Sequence, residues 1–179
     1  MALDGFVRSW SGVAFRHIPA DSPYDVFDFR FAALASKNRW NYQGQATLYL
    51  ASDRGVALGE FARHLREDRF PAIGGKAIAR SVFRLELSIE RLIDLRDADL
   101  CAALSLRNAP YCFLDKDLSR AVAQFLRQTT AAQAILVPSM AFLDHRDRWI
   151  AALFLEKLPA DPRQFLTTVR LEGRFQVSP

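Results

Sequence analysis

Residues 38–51 read NRWNYQGQATLYLA. An arginine, Arg39, stands beside Trp40 at the head of an Asn-Tyr-Gln-Gly run that leads into an apolar strand. Turns use Asn and Gly for their backbone freedom, and they have no need of two aromatics and a guanidinium. A guanidinium makes planar, two-pronged contacts with phosphate or carboxylate, so Arg39 is a candidate anion contact. A carboxylate follows on the next element, at Glu60, with Arg63 and His64 at i+3 and i+4. That spacing serves a solvated helical ion pair equally well as a side chain turned toward a cleft. A third candidate, Ser139, follows Pro138 at the end of a short apolar run and reads otherwise as a turn serine.

Other common chemistries lack their residues. No GxGxxG, GxxxxGK[ST] or GxSxG is present. Cys101 and Cys112 form no CxxC, and His17, His64 and His145 are scattered, so no metal site is expected and the thiols read as reduced. His17 and His64 read as ordinary polar residues. The net charge is +4, and 20 of the 24 basic residues are Arg. The bias suits a phosphate-bearing ligand, and a G+C-rich genome gives it equally. The charges mix in sign along the chain, as in REDR (66–69) and DHRDR (144–148), which argues against direct nucleic-acid binding. No apolar run is long enough for a membrane span and the N-terminus lacks a secretory pattern, so the expectation is a cytoplasmic protein without membrane contact.

The elements that must position these residues follow from periodicity. Residues 1–12 read as an irregular lead-in and VAFRHI (13–18) as a first strand ended by Pro19. The Phe-rich 22–36 segment reads as a short helix, and TLYLA (47–51) as a strand with Tyr49 on the face opposite Leu48 and Leu50. Asp53 is placed to cap a helix over 54–67, with Leu58, Phe61, Ala62 and Leu65 on one face and Glu60 opposite. Residues 68–79 read as a loop around Pro71 and Gly74-Gly75. Phe83, Leu85, Leu87 and Ile89 alternate with polar residues, the clearest strand. Helices are expected after Asp97 and near Asp117, and strands at 134–138, 148–156 and 164–177, the last as one or two. With 179 residues and no linker, one domain (1–179) is expected. The element order predicts a compact α+β class with a mixed, mostly antiparallel sheet and flanking helices.

Four pieces in order, FRHI (15–18), NRWNYQGQATLYLA (38–51), VALGEFARHL (56–65) and ILVPSMAF (135–142), resemble the RES-domain family over about residues 13–157. The family pattern has an early Arg, then Arg-Trp-Asn, a Leu-Tyr-hydrophobic-Ala strand, a helical Glu and a late Pro-Ser. Asn38 stands where the family often has Gly, and Trp149 near a place where Asn is frequent. The resemblance implies an ADP-ribosyltransferase-like fold and an enzyme that consumes NAD, often as a toxin held in check by a helix-turn-helix antitoxin covering its cleft.

Residue by residue, the resemblance implies the following. Glu60 stabilises positive charge as the nicotinamide–ribose bond breaks. Nicotinamide leaves NAD as a neutral molecule, so one carboxylate suffices where glycosidases use two. Arg16 and Arg39 bind the phosphates, Tyr49 positions nicotinamide, and Ser139 contacts the ribose or the acceptor. Trp40 is a candidate pocket residue; whether it and Tyr42 touch the ligand or brace Arg39 is open. NAD is then substrate rather than cofactor, with inorganic phosphate or water as acceptor. Two alternatives stand beside this: a transferase that ADP-ribosylates a protein, and a non-enzymatic nucleotide-binding module. Self-association is left open.

Overall fold

The computed structural model describes residues 3–69 and 75–179. Among them are β1 (Arg8–Pro19), β2 (Thr47–Ala51), α1 (Arg54–His64), β3 (Ile78–Asp94), α2 (Ala98–Ala103), α3 (Lys116–Thr129), β4 (Ala134–Pro138), β5 (Trp149–Phe154) and β6 (Leu166–Val177). Pairing runs β1-β2-β5-β4-β3, and β3 returns to β1, so five strands close into a barrel with β6 added outside β3. Only β3–β4 is parallel among the described pairings. The mixed α+β class and the mostly antiparallel sheet agree with the sequence. Closure was not in that reading, because it depends on pairing between β1 and β3, about seventy residues apart.

Strand alternation sorts the apolar side chains into two cores. Ala14, Leu48, Leu50, Leu85, Leu136 and Leu153 come from all five barrel strands and fill one cluster, the barrel interior. Ile135, Val137, Ala152 and Phe154 face the other way and pack with Val56 of α1, Leu100 of α2 and Leu126 of α3. Each fully buried Leu or Phe contributes on the order of 2 kcal/mol by leaving water. In β3 the period of two breaks after Ile89, since Arg8 faces Leu92 while Trp10 faces Ile89. The extra β3 residue forms a bulge and keeps Leu92, three positions on, in the interior core.

Several local expectations need correction. Residues 8–12 belong to β1, so the lead-in is shorter than read. The 22–36 segment forms turns rather than a helix. Asp25 Oδ1 accepts from Phe27 N and Asp28 Oδ1 from Arg30 N, and such local side-chain bonds compete with helical ones. The segment's aromatics are also engaged outside any helical stripe: Phe29 lies under the Arg16 guanidinium and Tyr24 packs on Phe31. The helix from Arg54 ends at His64 and passes into a π turn over Leu65–Arg69. The most deeply buried residues are Val56 and Ala57 in the helix and Leu65 at the start of the turn, while Leu58, Phe61 and Ala62 are half-covered. The expected loop at 68–79 falls partly outside the described residues, Pro71 and Gly74 included, and its last residues, Ile78 and Ala79, open β3. β6 is one strand with two register shifts against β3.

Candidate active site

The barrel has one weak seam. β1 and β2 meet at a single bridge, Phe15 with Ala51. Continuing that antiparallel register would set Arg16 against Leu50 and His17 against Tyr49, but the ladder stops. A cavity of about 750 Å³ lies between the parted strands, lined by residues 15–19 on one side and 47–51 on the other. Tyr24, Phe29 and Phe31 of the turn-rich segment also line it. A smaller space of about 240 Å³ adjoins it beneath α1, where Arg39, Trp40, Arg63 and Met140 form the walls. His17, Asn38, Tyr49, Glu60 and Ile150 line both compartments.

Glu60 is held there by four donors. Ser139 Oγ (2.6 Å) and Ala141 N (2.9 Å) donate to Oε1. Arg63 donates to Oε2 through Nε (3.1 Å) and Nη2 (3.0 Å). Four acceptor positions are what an ionised carboxylate offers, so the group is orientationally fixed. Burial alone would lower the Arg63 pKa, but Glu60 and Glu67 outweigh it and the net shift is upward. The helix that carries Glu60 is clamped to the 139–148 loop at its start as well. Asp53 accepts from Val56 N as the N-cap, worth about 1 kcal/mol, and also accepts from Arg148 at 2.9 and 3.0 Å. Gly59 lets the loop come close: a Cβ there would lie 2.7 Å from the Phe142 ring.

Arg39 is a brace first. It is buried, and its Nη1 donates to the carbonyls of Phe113 (2.7 Å) and Leu114 (2.9 Å). Its Nε has no partner, and burial lowers its pKa. Trp40 is only 3% exposed and packs edge-on against Phe113 at 5.1 Å, so the indole supports the carbonyl anchor that Arg39 uses. Tyr42 is exposed and lines neither compartment. From α3, Arg120 donates to the Asn38 and Ser36 carbonyls, and Arg127 to Thr47 Oγ1. These bonds fix both ends of the Arg39 segment.

Tyr49 points away from Leu48 and Leu50, into the helix-side core and the cavities. Its hydroxyl donates to Asn41 Oδ1 (2.6 Å) and accepts from Trp40 N (3.2 Å). Burial pushes the phenol pKa up. The ring is therefore the part of Tyr49 left for a ligand.

On β1, Arg16 lines the larger cavity. Its Nη2 donates to the Asp28 carbonyl (3.3 Å), while Nη1 is buried without a partner. Burial pushes its pKa down to about 10, against the pull of Asp28 and Asp25. Next to it, His17 Nδ1 accepts from Arg80 Nε (3.0 Å), which leaves the ring neutral with its proton on Nε2. Burial first, then Arg80, Arg16 and His64, push its pKa down to about 3.

The structure thus brings Arg16, Tyr49 and Glu60 to one cavity and Arg39, Trp40, Tyr49 and Glu60 to the other. Ser139 is placed differently from the ribose or acceptor contact read for it: it is fully buried, lines neither space, and spends its hydroxyl on Glu60. Three participants were missed. Arg63 stood in view as the i+3 neighbour of Glu60 but was read as part of a solvated pair. Asn41 looked like a turn residue and is 1% exposed. His17 carried no signal in sequence, because its partner Arg80 lies 63 positions away. Among the described residues, no group of three or more His, Cys, Asp or Glu is arranged to hold a metal ion, and no helix is long and apolar enough to cross a membrane.

The RES domain family profile matches residues 14–174, and the chain belongs to that family. Its fold is similar to that of a chain in the crystal structure of the M. tuberculosis MbcT–MbcA toxin–antitoxin complex. The match has a TM-score of 0.65 and 16% sequence identity, and covers 96% of this chain and 86% of that one. Among curated proteins none matches the sequence.

Proposed function

We propose that the chain is an NAD-cleaving enzyme that breaks the nicotinamide–ribose bond with phosphate or water as acceptor. The observation that carries this reading is the fixed Glu60 carboxylate at the junction of two compartments, one lined by Arg16 and the other by Arg39, each of which has a buried guanidinium nitrogen without a partner. A buried unpaired cationic donor is costly, and an anionic ligand relieves the cost. Phosphates bind at Arg16 and Arg39. Nicotinamide stacks on the Tyr49 ring. The bond ionises toward an oxocarbenium ion, and Glu60 stabilises it from a preset position. A ribose hydroxyl reaches Glu60 by taking the place of one Arg63 bond, since Arg63 keeps Glu67 as a second partner at 2.6 Å. Ser139 acts on substrate through Glu60.

The fold is read as ADP-ribosyltransferase-like, and the biological role as the toxin of a cytoplasmic pair. The likeness to a chain of a toxin–antitoxin complex supports a partner that covers the cleft, read as a helix-turn-helix antitoxin. The test is to incubate the purified chain with NAD, with and without phosphate, and to follow nicotinamide. Release is expected, slower by at least about tenfold in Glu60→Ala, equivalent to about 1.4 kcal/mol. Wild type that releases none under either condition refutes the reading. Nicotinamide release accompanied by ADP-ribose adducts on proteins would move the acceptor to a protein.

A further inference from the structure

A second cavity of about 550 Å³ lies outside the site described, bounded by α2 and the 104–110 turn on one side and the 139–148 loop on the other. Its volume falls within the roughly 300–1,000 Å³ range of small-molecule sites. The floor is apolar: Leu95, Cys101, Leu106, Pro138 and Leu143. Three arginines, Arg96, Arg107 and Arg146, also line it, and no Asp or Glu does. Their situations differ. Arg96 is neutralised by Asp94, at 2.7 Å and 2.8 Å, and donates to the Arg146 carbonyl, so it is wall. Arg107 and Arg146 are exposed, and among the described residues neither has a carboxylate partner. They reach the cavity from two different loops. The 104–110 turn is shaped in advance: Ser105 and Asn108 have φ of 57° and 60°, and Leu106 N bonds back to the Cys101 carbonyl at 2.8 Å.

We propose that this cavity binds a small apolar anion, whose hydrocarbon body covers the Leu95–Leu106–Leu143 floor and whose single carboxylate, sulfonate or phosphate group is held between Arg107 and Arg146. The charge pattern selects that class. A neutral apolar ligand leaves both guanidiniums without a counter-charge, and a strongly polar anion leaves the floor wet. The pairing of an apolar lining with a few convergent polar groups is the usual make-up of a ligand site. Pro138 is also a wall of the smaller active-site compartment, and the loop that supplies Leu143 and Arg146 begins with the Ser139 and Ala141 donors to Glu60. The two sites therefore share one loop.

The test uses the full chain and the fluorescent arylsulfonate ANS, with its uncharged analogue N-phenylnaphthylamine as control. Saturable binding of one ANS per chain is expected, with the neutral analogue at least about tenfold weaker. Two variants decide the location. Arg107→Ala/Arg146→Ala removes the anchors, and Ala102→Trp fills the space from an exposed position of α2 that lines it. Each is expected to weaken ANS by at least about tenfold, and the paired arginine variant to leave the neutral analogue unchanged. All three substituted positions are exposed, so melting curves close to wild type are expected. The proposal is overturned by wild type that does not bind ANS, or by either variant binding it as wild type does.

Discussion

Ser139 Oγ donates to Glu60 Oε1 at 2.6 Å, across 79 positions of sequence. The bond divides the control of one carboxylate between two parts of the fold. Oε2 is held from within α1 by Arg63, and Oε1 from the β4–β5 loop by Ser139 and Ala141. The aim of Glu60 thus reports the fit between helix and loop.

Ser139→Ala removes a donor to an ionised group inside the protein, at a cost of about 2 kcal/mol. Nicotinamide release is expected to lose about tenfold in kcat with KM within about twofold, because the hydroxyl acts through Glu60. Steady-state kinetics decide it. A raised KM at unchanged kcat would make Ser139 a substrate contact instead.

Glu60→Gln keeps an acceptor for Ser139 and Ala141 but places an amide against Arg63 and removes the negative charge. The expected loss in kcat is at least about tenfold, with the larger part in the chemical step. Single-turnover measurement with saturating NAD checks it. Turnover equal to wild type would take the charge of Glu60 out of the mechanism.

Tyr49→Phe leaves Trp40 N without its acceptor and deprives Asn41 Oδ1 of one of its two donors, Asn38 Nδ2 remaining. A loss of about 2 kcal/mol is expected, equal to about 4–8 °C in Tm for a chain of this size. Because the ring stays, KM for NAD is expected to change by less than about twofold. Calorimetry and kinetics on the same preparation separate a brace from a binding hydroxyl.

His17 sets a pH dependence. Its pKa is about 3 in the folded chain against 6.5 when free. Between those values the unfolded chain carries a proton that the folded chain refuses. The contribution is therefore complete above about pH 6.5 and is lost as pH falls, by about 1.4 kcal/mol per unit. Urea unfolding at about pH 7, 6 and 5 is expected to show this slope, and His17→Asn to flatten it. Parallel curves for the two proteins would remove His17 as its source.

Local chemistry was legible where short-range rules decide. The Asp53 cap followed from one residue and its successors, and the Leu85–Leu87–Ile89 alternation from period two alone. Glu60, Arg39 and Tyr49 were named through the family resemblance, which is carried by short pieces in order along the chain, and the three line the cavities described above. What escaped depends on distance or competition. Asp25 and Asp28 turned a Phe-rich stretch into turns by bonding their own neighbours. The burial of Ser139, the His17–Arg80 pair and the closing of β1 onto β3 join residues tens of positions apart, and periodicity carries no information about such meetings.

The lone Phe15–Ala51 bridge has a mechanical consequence. A hoop joined by several rungs at its other seams and by one here will breathe at that joint, and the joint is where Arg16 and Tyr49 line the larger cavity. A guest that touches both strands would stand in for the rungs the backbone leaves out. Amide hydrogen exchange along β1 and β2 would then slow on occupancy, although the guest forms no part of the sheet.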